Sequence, residues 1–100
     1  MKIVRFRSRS GEELYGAYNP NMPHEARVIE GDLFGDMEIT QRREDIGVLL
    51  PPISPPNIIA LGLNYGEHAK ETGIKNPDIP VMFIKATNSL IGHGATIILP

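Results

Sequence analysis

The sequence predicts a mainly β protein of the α+β class, and three observations lead to this prediction. Short runs rich in β-branched and aromatic residues recur along the chain, for example at Lys2–Arg7 and Val81–Lys85. Gly, Pro, Asn, Asp and Ser cluster between these runs, as expected for turns that join strands. One segment, Tyr65–Thr72, carries the start and stop signals of a short helix. We therefore expect sheets with a single short helix.

Residues 1–50 are predicted to form a small N-terminal β domain. Extended apolar patterns place its strands at Lys2–Arg7, Glu13–Tyr18, Ala26–Glu30 and Met37–Gln41. The first two strands form a β-hairpin across the turn residues Ser8–Gly11. The last two are joined by a tight connection at Gly31–Asp36, and a short apolar run at Gly47–Leu50 ends the domain.

The proline-rich stretch Pro51–Pro56 separates this domain from the second one, residues 51–100. Proline lacks a backbone donor and favours polyproline II geometry, so this stretch cannot be helical and acts as a linker. The second domain is predicted to contain strands at Asn57–Gly62, Val81–Lys85 and Thr96–Leu99 and the helix at Tyr65–Thr72.

Composition excludes several classes of protein. The 100 residues contain no cysteine, which excludes a disulfide framework and a Cys-based zinc site. The N-terminal residues lack the apolar stretch of a secretory signal, and no apolar run reaches membrane-spanning length. With a formal net charge of −2, nothing demands a polyanionic partner. We expect a cytoplasmic protein that binds neither membranes nor nucleic acid.

A basic first strand offers the opposite interpretation. Arg5, Arg7 and Arg9 with Phe6 could contact phosphates and bases of a nucleic acid. Alternate arginines on a strand point to one face, however, and such a face is more often a solvated sheet surface.

The predicted helix has well-defined ends and a weak apolar face. Asn64 can be the N-cap, Glu67 completes a capping box three residues later, and Gly73 can supply the left-handed residue after the helix. Its apolar stripe is thin, and a helix of two turns is marginal in water without tertiary support. This segment could therefore act as a lid that becomes ordered against a bound molecule.

His68 and Glu71 share one face of this helix because they are three residues apart. A carboxylate beside an imidazole selects its tautomer and raises its basicity, so the pair could take a proton from water or substrate. The alternative is a solvated pair on an exposed helix, because a single His-x-x-Glu spacing is a weak motif.

The segment GLNYGEHAKETG, followed by PDIPVMFIKATNSLIG, resembles the signature of the fumarylacetoacetate hydrolase family. The resemblance spans Pro51–Pro100, while KIVRFR, the pair Tyr15-Gly16 and GDLFG make Met1–Leu50 similar to the small N-terminal domain of many family members. It implies that the second half is the first part of the family's mixed β-roll with a short lid helix.

The resemblance also implies roles for individual residues. His68 and Glu71 match the catalytic pair that activates water, and Lys85 matches a lysine whose charge stabilises a developing enolate or carboxylate. Lys85 could instead be a surface lysine. Asn64 and Ser89 match positions near the substrate pocket, although an N-cap and a turn residue are equally good interpretations. The family usually has proline where this chain has Ala86.

Family members use a divalent metal, so the resemblance implies Mg²⁺ or Mn²⁺ as cofactor. Its carboxylate ligands are expected downstream of residue 100, and we assign no metal site within the chain. Asp32, Asp36 and Glu38 come closest to a cluster but are interpreted as a solvated loop, and His24 and His93 lack a spaced partner.

The implied function is that of an enzyme acting on α-keto acids or β-diketones. The family's reactions include carbon–carbon bond hydrolysis, decarboxylation and 2-hydroxydienedioate isomerisation in aromatic catabolism, and its members are expected to be homodimers. Alternatively, these residues form a non-catalytic fold, lid or dimerisation module that is inactive without a downstream metal-binding segment.

Overall fold

The chain folds as two compact units, and its regular secondary structure in the described residues is mainly β-strand, as predicted. The computed structural model describes residues 1–63, 70–73, 75 and 78–100. The first unit contains residues 1–54 and 90–100, and the second contains residues 55–89. The sequence-based assignment of residues 1–50 and 51–100 to two domains stays a prediction.

Four antiparallel strands form a closed barrel in the first unit. They are β1 (Lys2–Ser8), β2 (Glu13–Tyr18), β3 (Glu25–Gly31) and β4 (Met37–Leu49). Each strand pairs with the next along the chain, and β1 also pairs with β4, which closes the barrel. Closure gives every strand a hydrogen-bonded neighbour on each side.

The core of the barrel is small and comes mainly from β1 and β3. Phe6 and Val28 are fully buried, and Ala26 and Ile29 are buried beside them. Burying a large apolar side chain contributes about 1.5–3 kcal/mol. Ser8 is buried as well, and its hydroxyl is satisfied because it accepts a 3.1 Å hydrogen bond from the backbone N–H of Glu12. The barrel therefore buries no unsatisfied side-chain polar atom among the residues described.

Strand β4 is longer than predicted, because it continues beyond the expected strand at 37–41 and includes most of the apolar run at 47–50. One end of β4 pairs with β3 and the other with β1. Its register shifts between Arg7 and Ser8, where Ser8 pairs with Ile46 and Arg7 with Val48. Gly47 occupies the extra position, and a Cβ there would lie 2.9 Å from the Arg7 carbonyl oxygen. A second register shift, opposite Arg27 and Ile29, lies between β3 and β4, and these two irregularities let one strand bend around the barrel.

The predicted tight connection between β3 and β4 is present. The backbone N–H of Asp32 donates to the Asp36 carbonyl at 3.1 Å, and the Asp32 carboxylate accepts from the N–H of Phe34 at 2.9 Å. Gly31 enters this turn with φ +89°, and a Cβ there would lie 2.2 Å from the Asp36 carbonyl oxygen. Glycine is therefore required at position 31.

The second unit contains a two-stranded antiparallel sheet of β5 (Ile58–Gly62) and β6 (Val81–Lys85). Its register places Gly62 opposite Val81 at one end and Ile58 opposite Lys85 at the other. A 3₁₀ turn follows at Thr87–Ser89. Large apolar side chains are exposed on the sheet, namely Ile59, Leu61, Val81, Met82, Phe83 and Ile84.

The prediction of a strand at Thr96–Leu99 is wrong. This segment has no regular secondary structure, and Ile97, Ile98 and Leu99 are 74%, 87% and 84% exposed. A strand needs a neighbour for its backbone hydrogen bonds, and none of the six strands described pairs with these residues. Its apolar β-branched composition is typical of a strand but does not supply that neighbour.

Candidate functional site

The candidate catalytic segment connects β5 to β6 in the second unit. Asn64 and His68, predicted as a substrate-binding and a catalytic residue, lie outside the described residues. Glu71 lies in a helical stretch at 70–72, and its side chain is exposed. Gly73 ends that stretch with φ +68°, as predicted for the left-handed residue, and its N–H donates to the Lys70 carbonyl at 3.3 Å.

Leu63, which leaves β5 and immediately precedes the candidate segment, has an unfavourable backbone conformation. Its φ is +52°, and no other non-glycine residue in the described ranges has a positive φ. For a residue with a bulky side chain this conformation costs about 1–2 kcal/mol. Such outliers persist only where the surrounding structure fixes them, and they cluster at functional sites.

Lys85 is the last residue of β6, and its side chain is exposed. Alternation along the strand places it on the same face as Phe83 and Val81. Among the residues described, no carboxylate forms an ion pair with Lys85. Lys85 lies about 13 Å along the sheet from Gly62, at four residues of about 3.3 Å each.

Ser89 ends the turn that follows Lys85. The Ala86 carbonyl accepts both the backbone N–H of Ser89, at 3.0 Å, and its hydroxyl, at 2.7 Å. The hydroxyl proton is thus used within the turn, and the hydroxyl oxygen keeps its acceptor capacity. Lys85 and Ser89 stand at the two ends of this short segment. In the part of the chain described, no hydrogen bond or ion pair joins Glu71, Lys85 and Ser89.

The described residues do not fit a site for a divalent cation. They contain no group of three or more His, Cys, Asp or Glu side chains that could hold a metal ion. In the loop of Asp32 and Asp36, the carboxylate of Asp32 is occupied by the turn itself. Glu30 and Glu38 oppose each other across the strands without a third carboxylate beside them in the described ranges. We therefore assign no chemical step to a metal on these residues.

The basic strand β1 is held by a carboxylate. Glu13 accepts hydrogen bonds of 2.9 Å from both Arg7 and Arg5. The hydrogen bond from Arg7 and the positive charge of Arg5 lower the pKa of Glu13 below its usual value. A phosphate would have to displace Glu13 to bind both guanidinium groups.

Sequence reasoning missed a cleft in the first unit. It has a volume of about 260 Å³ and lies between the end of β2, the turn after it, β3 and β4. Tyr18, Met22, Arg27 and Arg43 are among its lining residues. The sequence signal for this cleft was the presence of Arg27 in β3 and Arg43 in β4. These two residues become neighbours only through the register of the two strands. No helix in the described ranges has the length and hydropathy that a membrane crossing requires.

The second half of the chain matches a known protein family. Residues 57–100 match the family described as fumarylacetoacetate (FAA) hydrolase, C-terminal. The matched region contains the five residues predicted from the sequence for catalysis and substrate binding, Asn64, His68, Glu71, Lys85 and Ser89.

Several curated proteins are similar to parts of the chain. An uncharacterized protein of Archaeoglobus fulgidus is 49% identical over 51 residues, which cover 51% of this chain and 20% of that protein. The homoprotocatechuate catabolism bifunctional isomerase/decarboxylase of Escherichia coli is 35% identical over 74 residues, covering 72% and 16%. A mitochondrial oxaloacetate tautomerase of Rattus norvegicus is 36% identical over 58 residues, covering 58% and 18%.

A solved structure is similar in fold to this chain. An uncharacterized protein from Mycobacterium abscessus superposes with a TM-score of 0.74 at 35% identity, and the match covers 100% of this chain and 39% of that one. The matched regions span only 16% to 20% of the three curated relatives named above. The activities in the names of the Escherichia coli and Rattus norvegicus proteins therefore belong to longer polypeptides.

Proposed function

Because the chain belongs to the fumarylacetoacetate hydrolase family, we propose that it is part of an enzyme that acts on small α-keto acids or β-diketones. The observation that carries this proposal is the family match over residues 57–100, which includes every candidate site residue. Two relatives have names that state reactions, an isomerase/decarboxylase of homoprotocatechuate catabolism and a tautomerase of the keto acid oxaloacetate.

These reactions share one chemical requirement. Tautomerisation, decarboxylation of a β-keto acid and isomerisation of a dienol all pass through an enol or enolate next to an electron-withdrawing carbonyl. An active site for this class needs a group that moves a proton to or from carbon or water, and a positive charge near the developing oxyanion.

We assign the proton transfer to His68 and Glu71. The Glu71 carboxylate would orient the imidazole and raise its basicity, so that His68 takes a proton from water or from the substrate. The unfavourable φ of Leu63 supports a functional role for the segment that begins at the next residue. The exposure of Glu71 leaves its carboxylate accessible to an imidazole.

Lys85 and Ser89 are proposed to contact the substrate. The ammonium group of Lys85 lacks an ion-pair partner among the described residues, so it can meet a substrate carboxylate or enolate without first breaking a salt bridge. The Ser89 hydroxyl oxygen could accept a hydrogen bond, and Asn64 could contribute its amide. The reaction is proposed to depend on Mg²⁺ or Mn²⁺, whose ligands would lie outside the residues described.

A non-catalytic module is the second candidate function. It is favoured by the lack of a metal-ligand cluster in the described ranges and by the exposed apolar side chains of β5 and β6, which suit contact with further polypeptide. In that case the residues would supply fold, lid or dimer contacts to a larger protein.

One assay separates the two candidates. Turnover of oxaloacetate and of an acylpyruvate is measured with Mg²⁺ for the 100-residue chain and for a longer polypeptide that includes it. We expect turnover by the longer polypeptide alone, reduced by the substitutions at His68, Glu71 and Lys85 described in the Discussion. Turnover that is unaffected by these substitutions would leave the module as the better description.

A further inference from the structure

The cleft in the first unit contains two arginines that face each other across a pair of strands. We call it the arginine cleft and define it by Tyr18, Met22, Glu25, Arg27 and Arg43, which line a volume of about 260 Å³. Arg27 of β3 is the direct cross-strand partner of Arg43 of β4. Like charges directly opposite each other on a sheet are unfavourable unless an anion lies between or beside them.

Glu25 compensates only one of these charges. Its carboxylate pairs with Arg43, which also contacts the sulfur of Met22 at 3.4 Å. Arg27 uses its Nε–H to donate to the Thr40 carbonyl at 3.1 Å, and it forms no ion pair among the residues described. Among the residues that line the cleft, two guanidinium groups and one carboxylate leave one positive charge in excess.

The contact with Thr40 also fixes the orientation of Arg27. Thr40 lies at the register shift between β3 and β4, where its hydroxyl donates to the Val28 carbonyl at 2.8 Å. With Nε held by the backbone, the two Nη groups of Arg27 remain as donors on a half-buried side chain. A guanidinium group oriented in this way loses little conformational freedom when it binds an anion.

We propose that the arginine cleft binds a small molecule that carries a carboxylate or phosphate group. The Nη donors of Arg27 match the paired oxygens of such a group, and Arg43 adds a second positive charge. Tyr18 and Met22 offer an aromatic and an apolar surface for a short carbon skeleton, and the volume suits a metabolite of a few carbon atoms. This site does not depend on the function proposed for residues 57–100.

Isothermal titration of the intact chain with inorganic phosphate and, separately, with succinate tests the proposal. Sodium chloride at matched ionic strength serves as the control for general screening. We expect saturable binding of at least one of the two anions, and the stronger of them identifies the preferred group. Arg27→Gln removes a charge-assisted hydrogen bond and should weaken anion binding by about tenfold or more. Arg27→Lys keeps the positive charge and should weaken binding less.

Two further variants make the test specific. Arg9→Gln removes a positive charge from the turn after β1, outside the cleft, and should leave the affinity unchanged. Glu25→Gln removes the carboxylate that competes for Arg43 and should raise the affinity, an effect that misfolding cannot imitate. Circular dichroism verifies that each variant keeps its strands. Absence of saturable binding, or equal affinities for Arg27→Gln and Arg9→Gln, would overturn the proposal.

Discussion

Phe6 lies so close to Gly16 that a Cβ atom added to the glycine would be 2.9 Å from Cε1 of the phenylalanine ring. The same atom would be 2.6 Å from the Cβ of Ala26. Glycine in a strand interior normally weakens the strand, because it has no side chain to pack and loses more backbone freedom on folding. Here the absence of a side chain on Gly16 leaves room for the ring of Phe6, the largest residue of the barrel core.

Gly16→Ala should therefore destabilise the barrel. The added methyl group overpacks the core, and we expect the free energy of unfolding to fall by about 1–3 kcal/mol. Urea unfolding followed by circular dichroism measures this change. Gly62→Ala is the matched control, because a Cβ on this strand glycine meets atoms only at 3.8 Å. An equal effect of both substitutions would contradict the packing argument.

Two phenylalanines at opposite extremes of exposure provide a second test. Phe6 is fully buried and Phe34 is 90% exposed. We expect Phe6→Ala to cost about 3–5 kcal/mol of unfolding free energy, enough to unfold a small domain, and Phe34→Ala to change it by less than about 0.5 kcal/mol. Phe6→Leu, which keeps more of the volume, should remain folded and allow the loss to be measured. Comparable losses for Phe6→Leu and Phe34→Ala would show that the core is elsewhere.

The ion pairs of Glu13 predict a pH dependence of stability. The hydrogen bond from Arg7 and the charge of Arg5 lower the pKa of Glu13 in the folded protein. The folded state therefore binds this proton less readily than the unfolded state, so the contribution is present above the ordinary carboxyl pKa and is lost as the pH falls through the lowered one. Urea midpoints measured between about pH 2 and pH 6 should depend less on pH in Glu13→Gln. Removing Arg7 in addition to Glu13 should reduce the pH dependence little further. If the urea midpoints of Glu13→Gln fell with decreasing pH as steeply as those of the unmodified protein, the assignment to Glu13 would be refuted.

The catalytic hypothesis predicts large effects from the pair in the connecting segment. His68→Ala or Glu71→Gln should lower turnover of oxaloacetate or an acylpyruvate by about two to four orders of magnitude in the polypeptide that includes this chain, since proton transfer would be lost. Metal binding, followed by titration with Mn²⁺, should persist. Lys75→Gln changes an exposed residue of the same connection and should be nearly neutral. Near-normal turnover in both the His68 and the Glu71 variant would contradict the catalytic assignment and favour a solvated pair on an exposed helix.

Lys85 should act mainly on substrate binding. Lys85→Met keeps the length of the side chain and removes its charge, so we expect KM to rise by about tenfold or more with a smaller change in kcat. Lys85→Arg keeps a positive charge, so its KM should rise less than that of Lys85→Met. Unchanged saturation kinetics in Lys85→Met would indicate a surface lysine.

Five of the six strands could be predicted from the sequence, because an apolar pattern runs along the whole length of each of them. The strands at 2–7, 13–18, 26–30, 57–62 and 81–85 were expected within one residue of their observed ends. The fourth strand was expected only at 37–41, because the charged residues Arg42, Arg43 and Glu44 interrupt the apolar pattern after it. Their side chains lie on the exterior, where Arg42 pairs with Glu12 and Glu44. Tertiary pairing thus overrode the local pattern.

The candidate site was less predictable. Residue spacing can place His68 and Glu71 on one helix face, but their convergence with Lys85 depends on contacts that spacing does not contain. The arginine cleft shows the same limitation. Arg27 and Arg43 are 16 positions apart in the sequence, and they become neighbours through a register shift at Thr40 that no local pattern encodes.

The pairing of β1 with β4 has a consequence for how the two units behave when the chain is concentrated. A sheet that returns to its own first strand offers no template on which another molecule could add a strand. In the described ranges, no third strand pairs with the ribbon of Ile58–Gly62 and Val81–Lys85, and apolar side chains are exposed on both of its faces. Self-association of this polypeptide should therefore begin at the ribbon, and a lysine introduced at Ile59 or Ile84 should delay it while the barrel stays intact.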